Sequence, residues 1–381
     1  MGTFDDRLEE ALAGVRARGR WRELKPAALA PGGRIVRAGT ELIDFSSNDY
    51  LGLARHPLLA GRAGEWAARL GAGAGASRLI TGTSEAHRAL EARIAAFKGK
   101  AAALLFASGW QANAAVIPAL LAAAPGAAVF TDRLVHASMH AGLTGARQHR
   151  FRHNDLAHLA QLLERHGGAA PARLILVESV YSMDGDRADL PALAALAARH
   201  DALLMVDEAH ATGVLGPGGA GLSAGVAGVG VVMGTFSKAL GSFGAYVAGS
   251  AALCDWLVNA ASGFIFSTAP PPQVLGAIDA ALDLVPGMDA ERRHLATLGD
   301  RLRAGLATRG IATADSSTQI VPAIVGSEAD ALALGERLAR RGMLAAAIRP
   351  PTVPAGTSRL RIALRSTHSA ADIDALLEAL A

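Results

Sequence analysis

The sequence predicts an α/β fold with two parts: a large domain on a mostly parallel central sheet and a small C-terminal α+β domain. From about residue 85, short apolar stretches alternate with amphipathic helical patterns, which is typical of parallel strands covered by helices on both faces. This rhythm changes after "STAPPPQ", where longer helical patterns begin. We expect an N-terminal helix with short strands (1–45), a large domain (46–284) and a small domain (285–381).

The elements follow in a regular order. Apolar positions between Phe4 and Val15 fall on one helical face, so the chain opens with an amphipathic helix. The predicted strands of the large domain are "AAALLFAS", "AAVFTD", "RLILVES", "ALLMVDE", "GVVMGTF" and "AYVAGS". Its predicted helices are "EAHRALEARIAAFKG", "WQANAAVIPALLAAA", "HASMHAGLTG" and "LPALAALAARH". The small domain combines helices "AERRHLATLGDRLRAGLATRG", "EADALALGERLARRG" and "AADIDALLEALA" with strands "STQIVPAIVG", "MLAAAIRP" and "SRLRIAL".

Composition argues against several classes of protein. The 381 residues are 19% charged with a net charge of +3, as in a compact globular protein. The arginine-rich "RARGRWR" and "RLARRG" match solvated helix faces, so we expect no nucleic-acid partner. Prolines and polar residues interrupt the most apolar region, 101–130, so we expect no membrane span. A single cysteine and an N-terminus unlike a secretory signal favour the cytoplasm. Among twelve histidines there is no HExxH or similar ligand spacing, so we expect no metal site.

Polar side chains stand where predicted strands end. Because the carboxyl ends of parallel strands meet at one edge of a sheet, we expect these groups to converge. Each alone could equally be a helix cap or a loop residue. The residues concerned are Glu178, Ser182, Asp207, His210, Thr235 and Lys238.

Lys238 is the most informative of them. It lies among small residues in "GTFSKALG", where desolvation would lower its pKa and free an amine for Schiff-base formation. With Asp207 it supplies what pyridoxal phosphate (PLP) requires, namely an amine for the aldehyde and a carboxylate that keeps the ring nitrogen protonated. The Ser-Gly turn in "FASGWQANAA" feeds a helix N-terminus suited to the phosphate. A surface lysine and an ordinary turn are the alternatives.

Other catalytic motifs fit less well. The glycine-rich "GAGAGASR" follows a helix rather than a strand, and no GK[ST] occurs, which argues against a dinucleotide-dependent dehydrogenase or a P-loop. We interpret this segment as a tight or subunit-contacting loop. No GxSxG elbow follows a strand, which argues against a hydrolase.

Seven segments spread over nearly the whole chain form a family pattern: "FSSNDYLGLARHP", "ASGWQAN", "HASMHAG", "SVYSMDGD", "DEAHATGVLG", "GTFSKALGSFGAY" and "AIRPPTVPAGTSRLRI". With them the sequence resembles the α-oxoamine synthases, which are PLP-dependent transferases of fold type I. The segment "IRPPTVP" resembles the pimeloyl-using members more than the glycine-using ones. The resemblance implies a homodimer with active sites at the subunit interface.

The resemblance also implies a role for each matching residue. Lys238 would hold PLP and move protons at the substrate α-carbon, Asp207 would pair with the pyridinium nitrogen, and His136 would stack on the ring and contact substrate. Further cofactor contacts are implied for Gly109, Trp110, Ser182, His210 (at the phenolic oxygen) and Thr235. Substrate contacts are implied for Asn48 and Arg361 (the amino-acid carboxylate) and for Arg22 and Thr352 (the acyl group).

The reaction implied is a decarboxylative condensation of L-alanine with pimeloyl-CoA or a pimeloyl carrier protein. A glycine C-acetyltransferase and a non-catalytic PLP-fold subunit are the alternatives. Retention of Lys238, Asp207 and His210 argues against the second. Ala211 stands where relatives often carry Gly or Ser. Phe266 replaces a common Tyr, so other groups would complete the phosphate site, such as Ser267 and Thr268 of a neighbouring subunit.

Overall fold

A computed structural model describes residues 3–381. The helices are α1 (Phe4–Ala17), α2 (Pro57–Leu70), α3 (Glu85–Lys98), α4 (Gly109–Ala123), α5 (Ala137–Gly142), α6 (Leu156–Gly167), α7 (Leu190–Arg199), α8 (Ala251–Ala260), α9 (Ser262–Ile265), α10 (Pro272–Leu284), α11 (Asp289–Ala307), α12 (Glu328–Arg340) and α13 (Ala370–Leu380). The strands are β1 (Ala28–Ala30), β2 (Arg34–Arg37), β3 (Thr40–Asp44), β4 (Ala102–Phe106), β5 (Ala128–Asp132), β6 (Gln148–Phe151), β7 (Arg173–Glu178), β8 (Ala202–Asp207), β9 (Val229–Thr235), β10 (Ala245–Gly249), β11 (Ile320–Gly326), β12 (Met343–Leu344), β13 (Ala346–Ile348) and β14 (Ser358–Ala363).

The central sheet has seven strands in the order β4-β10-β9-β8-β7-β5-β6. Strands β5 to β9 pair in parallel, whereas β10 is antiparallel to both of its neighbours, so the prediction of a mostly parallel sheet is confirmed. The inner strands are apolar without alternation because helices cover both faces of the sheet. In β8, for example, every residue from Leu204 to Asp207 is buried.

The pairing register fixes which residues meet at the carboxyl edge. Glu178 at the end of β7 pairs with Asp207 at the end of β8, and Asp207 pairs with Met233 near the end of β9. The polar residues that follow these strands therefore project from one edge, as the sequence predicts.

The C-terminal part holds an antiparallel sheet, β11-β14-β13, against which α12 packs, and α11 packs on β11. The single strand predicted over "MLAAAIRP" is wrong. The chain changes sheets at Ala345, so β12 pairs in parallel with β3 of the N-terminal sheet while β13 pairs with β14. The sequence also missed β6 and α6. The boundaries at 45 and 285 stay predictions.

Among the described residues, none of the helices combines the length and the apolar character that crossing a membrane requires. In that same part of the chain, no group of three or more His, Cys, Asp or Glu side chains is arranged to hold a metal ion.

Candidate active site

A cavity of about 240 Å³ opens at the carboxyl ends of β7, β8 and β9. We call it the lysine cavity. It brings together seven residues that the sequence placed at a cofactor site: Gly109, Trp110, His136, Asp207, His210, Thr235 and Lys238. Their elements lie far apart in the chain, and the parallel register gathers them.

Lys238 stands three residues beyond the end of β9 and is half-buried. Its Nζ lies 2.8 Å from Nε2 of His210. Desolvation lowers the pKa of Lys238 to about 8, although the negative charges of Asp207 and Glu178 oppose this change. Its amine is therefore partly uncharged near neutral pH, as a nucleophile or a base requires.

Two carboxyl groups end adjacent strands, and their surroundings differ. Asp207 accepts two hydrogen bonds at 2.9 Å, one from Nδ2 of Asn113 and one from the backbone N–H of Ala209. Oε1 of Glu178 is buried without a hydrogen-bond partner among the described residues. Burial, reinforced by the Asp207 charge, raises the pKa of Glu178 well above its usual range.

A hydrogen-bond chain sets the tautomer of His136. Nδ2 of Asn113 donates to Oγ of Ser138 at 2.9 Å, and that hydroxyl lies 2.7 Å from Nδ1 of His136. The backbone N–H of Ser138 also points at Nδ1, at 3.3 Å. Nδ1 is therefore an acceptor, and Nε2 carries the proton of the neutral ring. The Trp110 ring packs edge-on against His136 with centroids 6.0 Å apart.

Arg361 and Asn48 contact each other, and Tyr50 connects both of them to His210 on the wall of the lysine cavity. Arg361, only 6% exposed, donates from Nε to the Ser182 carbonyl at 2.6 Å and from an Nη to Oδ1 of Asn48 at 3.1 Å. The Tyr50 hydroxyl lies 3.0 Å from Oδ1 of Asn48 and 2.6 Å from Nδ1 of His210. No carboxylate of the described chain forms an ion pair with Arg361, so its charge is free for an anionic substrate group.

Five predicted site residues do not line the lysine cavity, namely Asn48 and Arg361, described above, and Ser182, Thr352 and Arg22. Ser182 and Thr352 line a second cavity of about 650 Å³, which we call the side cavity and which shares His136 with the lysine cavity. Arg22 is exposed, and it lines neither of these two cavities in the described part of the chain. The roles implied for these residues stay predictions.

The segment around Phe266 lies beside the start of α4. The Phe266 side chain is exposed, with 82% of its surface accessible, and Nε2 of Gln111 donates to Oγ of Ser267. Completion of a phosphate site by Ser267 and Thr268 of a neighbouring subunit remains a prediction.

The groups around the lysine cavity fit PLP. An amine of lowered pKa suits the aldehyde, and a buried carboxylate with two donors of its own suits a protonated ring nitrogen. Helix α4 begins at Gly109, and the Ser108 side chain caps it by accepting from the backbone N–H of Gln111 at 3.1 Å. Gly109 and Trp110, the first two residues of this helix, line the cavity, so the helix N-terminus suits a phosphate.

Sequence reasoning missed the residues that hold the site in place. Asn113, Ser138 and Tyr50 occur inside the quoted motifs, yet only the tertiary structure shows their hydrogen bonds to Asp207, His136 and His210. Gln319 belongs to no motif and donates to the backbone carbonyl of His210 at 2.8 Å. We find no sequence signal that would have identified Gln319.

Comparison with known proteins agrees with this geometry. Residues 40–380 match the family described as aminotransferase class I and II. The chain is 59% identical to the 8-amino-7-oxononanoate synthase of Gluconacetobacter diazotrophicus, with 100% of this chain and 97% of that protein covered. It is 49% identical to the enzyme of the same name from Geobacter sulfurreducens, with 96% and 95% covered.

Solved structures with the same fold include a serine palmitoyltransferase from S. paucimobilis with a bound PLP–myriocin aldimine. It superposes with a TM-score of 0.92 at 28% identity, covering 100% of this chain and 98% of that one. An 8-amino-7-oxononanoate synthase from Francisella tularensis superposes with a TM-score of 0.77 at 25% identity, covering 89% and 96%.

The chain therefore belongs to the class I and II aminotransferase family, and it has the fold of the PLP-bound structure on which it superposes. Within that family it groups with the 8-amino-7-oxononanoate synthases, which makes it a PLP-dependent transferase of biotin biosynthesis. The resemblance to the α-oxoamine synthases and the prediction of PLP are confirmed.

Proposed function

We propose that the protein condenses L-alanine with a pimeloyl thioester to give 8-amino-7-oxononanoate, CO2 and the free thiol. One observation carries the proposal: Lys238 and Asp207 line one cavity that shares His136 with a larger, partly apolar one. Arg361 is connected to the first cavity through the Tyr50 hydroxyl, which lies 3.5 Å from its guanidinium and 2.6 Å from Nδ1 of His210. The first cavity suits a small amino acid on PLP, and the second suits an acyl chain and its thioester arm.

PLP, when bound, supplies the electron sink that stabilises negative charge at the substrate α-carbon. Lys238 moves the proton at that carbon, because an amine with a pKa of about 8 can both accept and return a proton near neutral pH. Asp207 supports the sink by holding a proton on the ring nitrogen. Burial lowers the pKa of His210 well below its usual value, so its ring stays uncharged. The ring can then accept a hydrogen bond from Lys238 or donate one to an oxygen.

Arg361 and Asn48 orient the amino acid by its carboxylate. Two nitrogens of the guanidinium are held by Ser182 and Asn48, and the third lies 3.5 Å from the Tyr50 hydroxyl, too far for a strong hydrogen bond. That nitrogen is the one we assign to the incoming carboxylate, which later leaves as CO2. A guanidinium already fixed by two partners loses little entropy when it binds.

The side cavity receives the acyl donor and keeps water from the reacting carbon. Its wall includes Val135, Met183, Pro351 and Val353, with Thr352 beside them. Apolar walls disfavour hydrolysis of a thioester and leave the α-carbon as the attacking group.

The direct test incubates the PLP-loaded protein with L-alanine and a pimeloyl thioester and detects the oxoamine by mass spectrometry. Activity with glycine and acetyl-CoA alone would favour a glycine C-acetyltransferase. A colourless protein that takes up no PLP would favour a non-catalytic subunit. The proposal includes a cytoplasmic homodimer, and light scattering coupled to size-exclusion chromatography measures the oligomeric state.

A further inference from the structure

Three cavities are linked in series by shared lining residues. The side cavity meets the lysine cavity at His136. At another part of its wall it includes Arg133, which also lines a third cavity of about 250 Å³ together with Arg150, Phe151 and Arg152. A long ligand could therefore reach from the reactive lysine to a group of arginines. We call Arg133, Arg150 and Arg152 the arginine cluster.

The arginine cluster carries positive charge that the protein does not neutralise. Arg152 forms an ion pair with Asp155 at 2.7 Å. Arg150 donates to the backbone carbonyl of Arg133 at 2.8 Å, and this uncharged acceptor does not neutralise the guanidinium. Among the described residues, no ion pair involves Arg133 or Arg150. The positive potential of Arg150 extends to the side cavity, whose wall includes His140. Desolvation lowers the pKa of His140, and the Arg150 charge lowers it further.

The order of chemical environments matches a particular ligand. From the lysine end it runs from the reacting centre, through a partly apolar passage, to two unneutralised arginines. An acyl phosphopantetheine has the same order: a thioester, an uncharged arm and a phosphate. Arginine pairs with phosphate through bidentate, charge-assisted hydrogen bonds.

We propose that Arg133 and Arg150 bind the phosphate of the donor's 4′-phosphopantetheine arm. The inference rests on the proposed function, because it takes the second substrate to be a thioester. Both possible donors, a CoA ester and an acyl carrier protein, carry this phosphate, so the site recognises their shared chemistry. Arg152, already paired with Asp155, adds to the potential but does not contact the phosphate.

The test compares three donors in the PLP-loaded enzyme: pimeloyl-CoA, a pimeloyl carrier protein, and pimeloyl-pantetheine, which lacks the phosphate. The variants are Arg133→Gln, Arg150→Gln and the double variant. Arg309→Gln is the matched control, because Arg309 is exposed beyond the end of α11. The measured quantity is the ratio of kcat/KM for a phosphorylated donor to kcat/KM for pimeloyl-pantetheine.

We expect this ratio to fall about tenfold in each single variant, and by more in the double variant, for CoA and carrier protein alike. Added salt should reduce the wild-type ratio. Calorimetry supplies a second readout: free CoA should bind the double variant at least about tenfold more weakly than it binds wild type or Arg309→Gln.

Unchanged ratios would overturn the inference. A loss for CoA alone would also overturn it, because the recognised phosphate would then belong to the nucleotide. A third contrary result is a loss that follows the acyl group, with the variants discriminating pimeloyl- from heptanoyl-pantetheine, since the arginines would then bind the distal carboxylate. Failure of the proposed function is separate: wild-type protein would then form no oxoamine from L-alanine with any of the three donors.

Discussion

Replacing the reactive lysine should stabilise the folded apoprotein, and the gain should depend on pH. Nζ of Lys238 is desolvated where the fold brings it against His210, and its pKa falls from 10.5 to about 8. Below pH 8 the folded protein therefore carries a charge that the unfolded chain holds more favourably. The variant Lys238→Met removes that charge and keeps a side chain of similar length.

The pKa difference sets the size of the effect. The pKa of Lys238 falls from 10.5 to about 8 on folding. At about 1.36 kcal/mol for each pKa unit, keeping this lysine charged costs the folded state about 3 kcal/mol at pH 7. The lost hydrogen bond to His210 offsets about 1 kcal/mol of the gain. We expect Lys238→Met to be about 2 kcal/mol more stable than wild type at pH 7. The advantage should decline as pH rises from 8 and vanish at about pH 10, where the remaining cost of the charge equals that of the lost hydrogen bond.

Urea unfolding of PLP-free protein at pH 6.5, 8 and 10, at one protein concentration, measures the difference in the free energy of unfolding. Lys25→Met is the control, because Lys25 is exposed and its loss changes the net charge equally. A Lys238→Met variant no more stable than wild type at pH 7 would refute the reasoning. A stability gain that stays constant from pH 6.5 to 10 would refute it as well.

Three further predictions concern the site and its support. Lys238→Ala should fold and bind PLP weakly but lose turnover and the absorbance of the lysine-bound cofactor; normal turnover would overturn the assignment of this lysine. Arg361→Lys should raise KM for L-alanine about 10- to 100-fold because an ammonium cannot keep both present partners and add a carboxylate, whereas KM for the thioester should change little. Steady-state kinetics checks this, and an unchanged alanine KM contradicts it. Burial alone would lower the pKa of His153, but hydrogen bonds to Asp132 and Asp186 raise it to about 10. The stabilisation from these two hydrogen bonds is complete below about pH 6.5 and is lost as pH rises through 10. His153→Gln should therefore lower the free energy of unfolding by on the order of 3 kcal/mol at pH 6. Urea titrations at pH 8 and 10 should show progressively smaller losses.

The sequence allowed the carboxyl edge of the sheet to be predicted because that edge follows from two local facts. Apolar strands separated by helices must run in parallel, and parallel strands end on one side. Glu178 and Asp207 fall opposite each other because their strands have equal length and matched register. Lys238 follows β9 at the same edge.

The side cavity could not be predicted in this way. Thr352 belongs to the C-terminal part and Ser182 to the loop after β7, and they meet only where these two parts pack together. The change of sheets at Ala345 was hidden for a similar reason. A continuous apolar segment does not reveal that two short strands pair with different partners.

The two carboxyl groups at the sheet edge show most clearly what the tertiary structure adds. In the sequence, Glu178 and Asp207 are equivalent, since each ends an apolar strand. Burial and the neighbouring Asp207 charge raise the pKa of Glu178 well above its usual range. Asn113, projecting from α4, donates to Asp207, whereas one oxygen of Glu178 has no partner among the described residues. Asp207 is therefore the carboxyl group with the two hydrogen-bond donors that its charged form requires. We expect this donor from one helix to decide which of the two strand ends serves PLP.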